Sequence, residues 1–164
     1  MNLTRLFKAQ KFLDDGIIEK HSLHGQDLTS NKILALLVEI GELANETRCF
    51  KHWSLKGPSE DSVILEEFVD GVHFFISLAI SLGISPENFI VTEDYTKEDI
   101  NSSFLELYRM VSNLGQMDIE AKLHAAFSLF IGIAEIHLGF TWNDIEQGYF
   151  RKNAINLKRQ EEGY

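Results

Sequence analysis

The fold class this sequence predicts is all-α, a helical bundle, and three observations predict it. Apolar residues recur at helical spacing almost throughout the chain. Alternating runs rich in Val, Ile and Thr between turns, the mark of strands, are nearly absent. Only two prolines occur, Pro58 and Pro86, and both fall between periodic segments. The 164 residues suit one domain, 1–164. That length buries a core without a metal or disulfide staple.

About six helices are expected. The first covers residues 3–13, with Leu3, Leu6 and Phe7 on one side. Asp14-Asp15-Gly16 should interrupt it, leaving 17–27 as loop. Thr29 or Ser30 should cap a second helix that runs to Thr47. Pro58 and Ser59 should open a third, which continues to Leu82 and stops at Gly83. Residues 84–95 read as a loop. Thr96-Lys-Glu-Asp99 resembles a capping box for a fourth helix ending near Gly115. Asp118 should start a fifth that ends at Gly139. Thr141-Trp-Asn-Asp144 should start a sixth that runs to Gln160.

Composition narrows the function. The net charge of −10 argues against a nucleic-acid groove or an anionic membrane as partner. Cys49 is the sole cysteine, so no internal disulfide can form. The N-terminus lacks a signal-peptide pattern. The longest apolar run, residues 74–84, is too short to span a bilayer. A cytoplasmic soluble protein is expected.

Two stretches carry chemistry. In residues 39–53, Glu39, Glu42 and Glu46 fall within about 60° on one helix face. Like charges at this spacing repel by roughly 0.2–0.5 kcal/mol per pair. Leu36 and Leu43 flank Glu39, so it borders the apolar stripe, where a plain solvated face would not put it. The third helix is apolar around most of its circumference. Its polar residues, Glu66, Glu67, Asp70, His73 and Ser77, form one narrow stripe.

Buried carboxylates need cations or a metal. No basic residue lies between Gly57 and Tyr95, so a divalent metal is the simplest partner. Two antiparallel helices would bring Glu39, Glu42, Glu67 and Asp70 together. Oxygen donors without a cysteine cluster select a hard ion, Mg²⁺ with Mn²⁺ as substitute. Four acids suggest two or more ions and a polyphosphate. Glu46 and Glu66 stand as outer ligands. His73 reads as a hydrogen-bonded histidine rather than a ligand, since Mg²⁺ prefers oxygen.

At the C-terminus, Lys152, Asn156 and Arg159 share one helical face, and Asn153 and Gln160 lie on the adjoining strip. Lys and Arg neutralise phosphate, while Asn and Gln supply the donor and acceptor a pyrimidine edge requires. An exposed amphipathic terminal helix is the plainer reading of that stretch alone.

The spacing Glu39-x-x-Glu42, then Glu67-x-x-Asp70, resembles the metal motif of the all-α nucleoside triphosphate pyrophosphatases, the MazG-like superfamily. The pattern Tyr149-x-x-Lys152-Asn153-x-x-Asn156-x-x-Arg159-Gln160-x-x-Gly163-Tyr164 is similar to the C-terminal motif of its dimeric dUTPase branch. Gln10-x-x-Leu13 matches where that branch has a uracil-contacting Gln, and Trp53 where it has an aromatic near the base.

The resemblance implies Mg²⁺-dependent hydrolysis of dUTP to dUMP and pyrophosphate, with dUDP also accepted, by a homodimer. Glu39, Glu42, Glu67 and Asp70 would then hold the ions. Glu39 or Glu42 would be the base that relieves the attacking water of a proton. Lys51, Lys152 and Arg159 would offset phosphate charge, and Gln10, Asn153, Asn156 and Trp53 would hold the nucleoside.

One position departs from the branch, which commonly has Asn where this chain has Asp14. Asp14 can accept from the uracil N3–H but cannot donate to a carbonyl, and an acceptor there would also suit cytosine's amino group. A pyrophosphatase for dCTP or modified nucleotides is therefore the alternative enzyme. A non-catalytic helical interaction protein is the alternative outside catalysis. A di-iron bundle needs two Glu-x-x-His elements, and only Asp70-x-x-His73 is present.

Overall fold

The computed structural model describes residues 1–89, 91, 94–114 and 118–163. Six α-helices occupy them, and among the described residues there is no strand. They are α1 (Thr4–Lys20), α2 (Thr29–Thr47), α3 (Asp61–Ser81), α4 (Ile100–Ser112), α5 (Ile119–Gly132) and α6 (Trp142–Glu162). α5 runs on into a π-helical turn, Ile133–His137. The expected helix end at Gly115 and the motif's final Tyr164 lie outside the described residues.

Helix α3 is the centre, with α1, α2 and α6 packed around it and α4 bridging α2 and α5. Phe68, Val72, Phe75, Ile76 and Ala79 on α3 are fully buried. Phe68 stacks on Phe130 of α5 at 4.2 Å between ring centroids. A Cβ on Gly71 would come 2.6 Å from Cζ of Phe130, so any side chain there must push that ring aside. Glu39 of α2 meets α3 at Glu67 and Asp70, while Glu46, two turns on, bonds Ser59, ahead of α3. The two helices are therefore antiparallel, as expected.

Several boundaries differ from expectation. Asp14-Asp15-Gly16 does not break the first helix, which continues to Lys20. Leu6, Gln10, Leu13 and Ile17 make one stripe at helical spacing, and burying it outweighs the roughly 1 kcal/mol that Gly16 costs. Neither Thr29 nor Ser30 caps α2. Asp27 Oδ1 accepts from the Thr29 N–H at 2.9 Å instead. Pro58 and Ser59 precede α3 rather than open it, because Ser59 is turned to Glu46. Asp99, not Thr96, caps α4, accepting from the Ser102 N–H at 2.9 Å. The Thr141–Asp144 capping box of α6 is present as expected. Among the described residues no single helix is long and apolar enough to cross a membrane.

Candidate active site

A cavity of about 430 Å³ lies among α1, α2, α3 and α6. Its acidic part joins α2 to α3. Glu39, Glu67 and Asp70 each present a carboxylate oxygen within 4.8 Å of the others. Burial first, then the charges of Asp70, Glu42 and Glu67, push Glu39 up to about 7. Burial and then Asp70 and Glu42 likewise push Glu67 up to about 7. Asp70 is raised by burial, against the pull of Lys152. Three half-buried acids that resist ionisation beside one another fit a hard divalent cation, which would relieve all three. Glu42 is exposed, one turn after Glu39, and close enough for its charge to act on both glutamates.

Lys152 reaches into this cluster from α6. Its Nζ stands 2.6 Å from Asp70 Oδ2 and 2.8 Å from Glu66 Oε1. Burial pulls its pKa down, but hydrogen bonds to Asp70 and Glu66 outweigh that and hold it raised. Some of the compensation the acids require thus comes from a residue more than eighty positions away in sequence.

Two turns along, the cavity changes character. Lys32 precedes Glu39 by seven residues on α2, and Ser77 follows Asp70 by seven on α3, a separation of about 10 Å. Here Leu13, Ile17, Ile18, Leu28 and Phe74 make apolar walls, and Gln10, Asp14, Lys32, His73 and Ser77 supply polar groups. His73 is buried and kept neutral, its pKa driven down to about 3 by burial first and then by Lys152, against the Tyr149 carbonyl. Asn156, Arg159 and Gln160 of α6 complete the lining.

The dUTPase family's sequence model matches residues 2–164. This chain belongs to the dUTPase family. It is therefore an enzyme of a family of hydrolases that act on a nucleoside triphosphate and depend on a divalent metal, and the three-carboxylate cluster is a place for such an ion. No curated protein matches the sequence.

Most residues singled out from the sequence converge on this cavity. Glu39, Asp70, Gln10, Asp14, Lys152, Asn156 and Arg159 line it, and Glu67 joins the acid cluster. Asn153 is buried beneath that lining, with its Nδ2 unpaired. Lys51 and Trp53 do not line it. Lys51 bonds Asn45, and Trp53 is two-thirds exposed, edge-on to Phe50 and His52. Glu46 bonds Ser59 and Asn45, and Glu66 holds Lys152.

Sequence reasoning missed Lys32, whose side chain is largely buried in the cavity wall. A signal existed, since Lys32, Leu36 and Glu39 fall on one face of α2. In the sequence Tyr149 stands out only as the first residue of the C-terminal motif. It is fully buried, and its hydroxyl donates to Gln10 Oε1 at 2.7 Å.

Proposed function

We propose that this chain is a Mg²⁺-dependent dUTP diphosphatase that hydrolyses dUTP to dUMP and pyrophosphate, and dUDP to dUMP and phosphate. The observation that carries it is one cavity whose wall includes Glu39 and Asp70 of the acid trio and which opens, about 10 Å away by helix rise, into an apolar-walled polar pocket. That spacing suits a metal-held polyphosphate at one end and a flat base at the other. Residues 1–164 act as one catalytic domain in this reading.

Glu39, Glu67 and Asp70, with Glu42 at the rim, would hold the metal. When bound, Mg²⁺ supplies neutralisation of the triphosphate's charge and acidifies water. Glu39 or Glu42 takes the proton from the water that attacks phosphorus at the α–β anhydride. Lys152 and Arg159 offset charge on the phosphate oxygens. Gln10, Asp14, Asn153 and Asn156 belong to the nucleoside end. Trp53 and Lys51 would join only by movement of the 48–57 segment onto bound nucleotide.

A homodimer is part of the proposal. Leu34 and Val38, one turn apart on α2, are exposed, as is Leu105 on the neighbouring α4. A second copy would cover them, and light scattering on the purified protein gives the mass that decides it.

The deciding experiment is pyrophosphate release from each of the dNTPs, with Mg²⁺ and with EDTA. Mg²⁺-dependent release from dUTP supports the proposal. Release from dCTP alone moves the base assignment. No release from any nucleotide overturns it.

A further inference from the structure

Glu66 and Asp70 stand one turn apart on α3, and Lys152 of α6 holds both. Its Nζ is 2.8 Å from Glu66 Oε1 and 2.6 Å from Asp70 Oδ2. The two acids differ in place. Asp70 belongs to the acid trio, and its side chain is 15% exposed. Glu66 is not one of the three, and its side chain is 54% exposed. Lys152 thus bridges a shielded acid of the cluster and a wetter acid beside it, and its own side chain lines the cavity.

Two cations held on one carboxylate repel each other, and where water is kept out that repulsion is poorly screened. A divalent ion at the trio therefore works against Lys152 at Asp70. The lysine cannot simply let go, because a shielded ammonium without a partner is left uncompensated. Glu66 alone compensates it in part. In the dUTPase reading the oxygens of a polyphosphate offer a second place for the same charge. An ion arriving without nucleotide has to loosen the Lys152–Asp70 pair, whereas an ion arriving with nucleotide finds the lysine drawn away.

We propose that Lys152 couples metal binding to nucleotide binding. It competes with the metal for Asp70 until a polyphosphate draws it off, and Glu66 is the positioning residue that shares the lysine and limits the competition. Metal then binds weakly to the ligand-free protein and strongly to the nucleotide complex. By linkage, metal raises nucleotide affinity by the same factor. This inference rests on the dUTPase reading of the same site. It gives Glu66 a role through Lys152, where the sequence offers it only as an outer ligand.

Mn²⁺ titrations followed by the EPR signal of the free ion test it, on ligand-free protein and on protein saturated with the non-hydrolysable α,β-imido-dUTP. The ratio of the two Mn²⁺ affinities is the coupling. Lys152→Met keeps the stem and removes the charge. It should tighten Mn²⁺ on the ligand-free protein and lower the ratio about tenfold. Glu66→Gln leaves Lys152 with Asp70 alone. It should weaken Mn²⁺ on the ligand-free protein and raise the ratio about fivefold. In the Lys152→Met background the effect of Glu66→Gln should disappear. A lysine that only repels the ion from a fixed position would shift both affinities alike and leave the ratio unchanged.

A wild-type ratio in both single variants overturns the proposal. So does a Glu66→Gln effect of the same size with Met at position 152, since Glu66 would then act on the ion directly. Should Lys152→Met fail to fold in EDTA, Glu66→Gln decides by the direction of its ratio, because Glu66 is half exposed and its loss spares the fold. Failure of the dUTPase reading shows separately, as no binding of α,β-imido-dUTP to the Mn²⁺-loaded protein. The ligand-free titrations then decide whether Lys152 competes for Asp70, and an unchanged Mn²⁺ affinity in Lys152→Met overturns it.

Discussion

Lys152 Nζ lies 2.6 Å from Asp70 Oδ2, so a cation from the last helix already stands among the acids of the central one. The pair is well shielded, with side-chain exposures of 10% and 15%. Removing one partner of such a pair leaves the other buried and uncompensated. Lys152→Met should cost the metal-free protein about 3 kcal/mol. It should also lower kcat/KM about 10²-fold by removing a positive group from the phosphate path. Thermal melts in EDTA and steady-state kinetics check both, and Mg²⁺ should restore part of the lost stability.

Glu39 behaves in the opposite sense. Its carboxylate is crowded by Asp70, Glu42 and Glu67 and is held up to about 7. Glu39→Gln should leave the melting temperature in EDTA unchanged or raise it, because a repelled charge has gone. The same change should lower turnover about 10²–10⁴-fold. Exposed Glu42 offers the complementary test: Glu42→Ala should abolish turnover with little loss of fold. Wild-type rates in either variant would remove that residue from the site.

The same two raised acids set a pH dependence. Glu39 and Glu67 have ordinary values of 4.5 and folded values of about 7. Between those limits the folded metal-free protein keeps protons that the unfolded chain has released. Stability in EDTA is therefore greatest below about pH 4.5 as far as these groups are concerned, and falls as pH rises toward 7. Mg²⁺ reverses the trend, since binding requires both carboxylates ionised. Its apparent affinity should rise with pH up to about 7 and then level off, with protons released on binding. Melting curves across pH with EDTA or Mg²⁺, and titration in weak buffer, read both effects.

Gly71 is a packing test away from the chemistry. A methyl group there would strike the Phe130 ring that stacks on Phe68. Gly71→Ala should destabilise by about 1–2 kcal/mol, the overpacking cost less the gain in helix propensity. Chemical denaturation measures it, and a stabilised variant would mean that Phe130 can move aside.

Much of this was legible in the residues. The apolar period located six helices, and of the polar stripe Glu66, Glu67, Asp70, His73 and Ser77 on α3, Asp70, His73 and Ser77 line the cavity. What was misread was local punctuation. Asp14-Asp15-Gly16 looks like a stop, yet α1 runs through it, because Leu13 and Ile17 on the buried stripe outweigh one glycine. Thr29 and Thr96 looked like caps, but Asp27 and Asp99 reach the first amides instead. Cap geometry depends on where the chain enters the helix, and that is set by packing rather than by residue type.

The sequence by itself determined that the chain is helical, that its acids fall in two pairs at matching spacing, and that its cations and amides gather on the last helix. Those are properties of single helices, readable because 3.6 residues make a turn. Tertiary structure alone decided how far each helix slides along its neighbour. That register gathers Glu39 with Glu67 and Asp70 and leaves Glu42 at the rim. It sets Lys152 on Asp70 and Glu66, and Lys32 against Asp14 and Ser77. It also leaves Lys51 and Trp53 outside the cavity. Helical periodicity states which face a residue occupies, but not which turn of another helix it will meet.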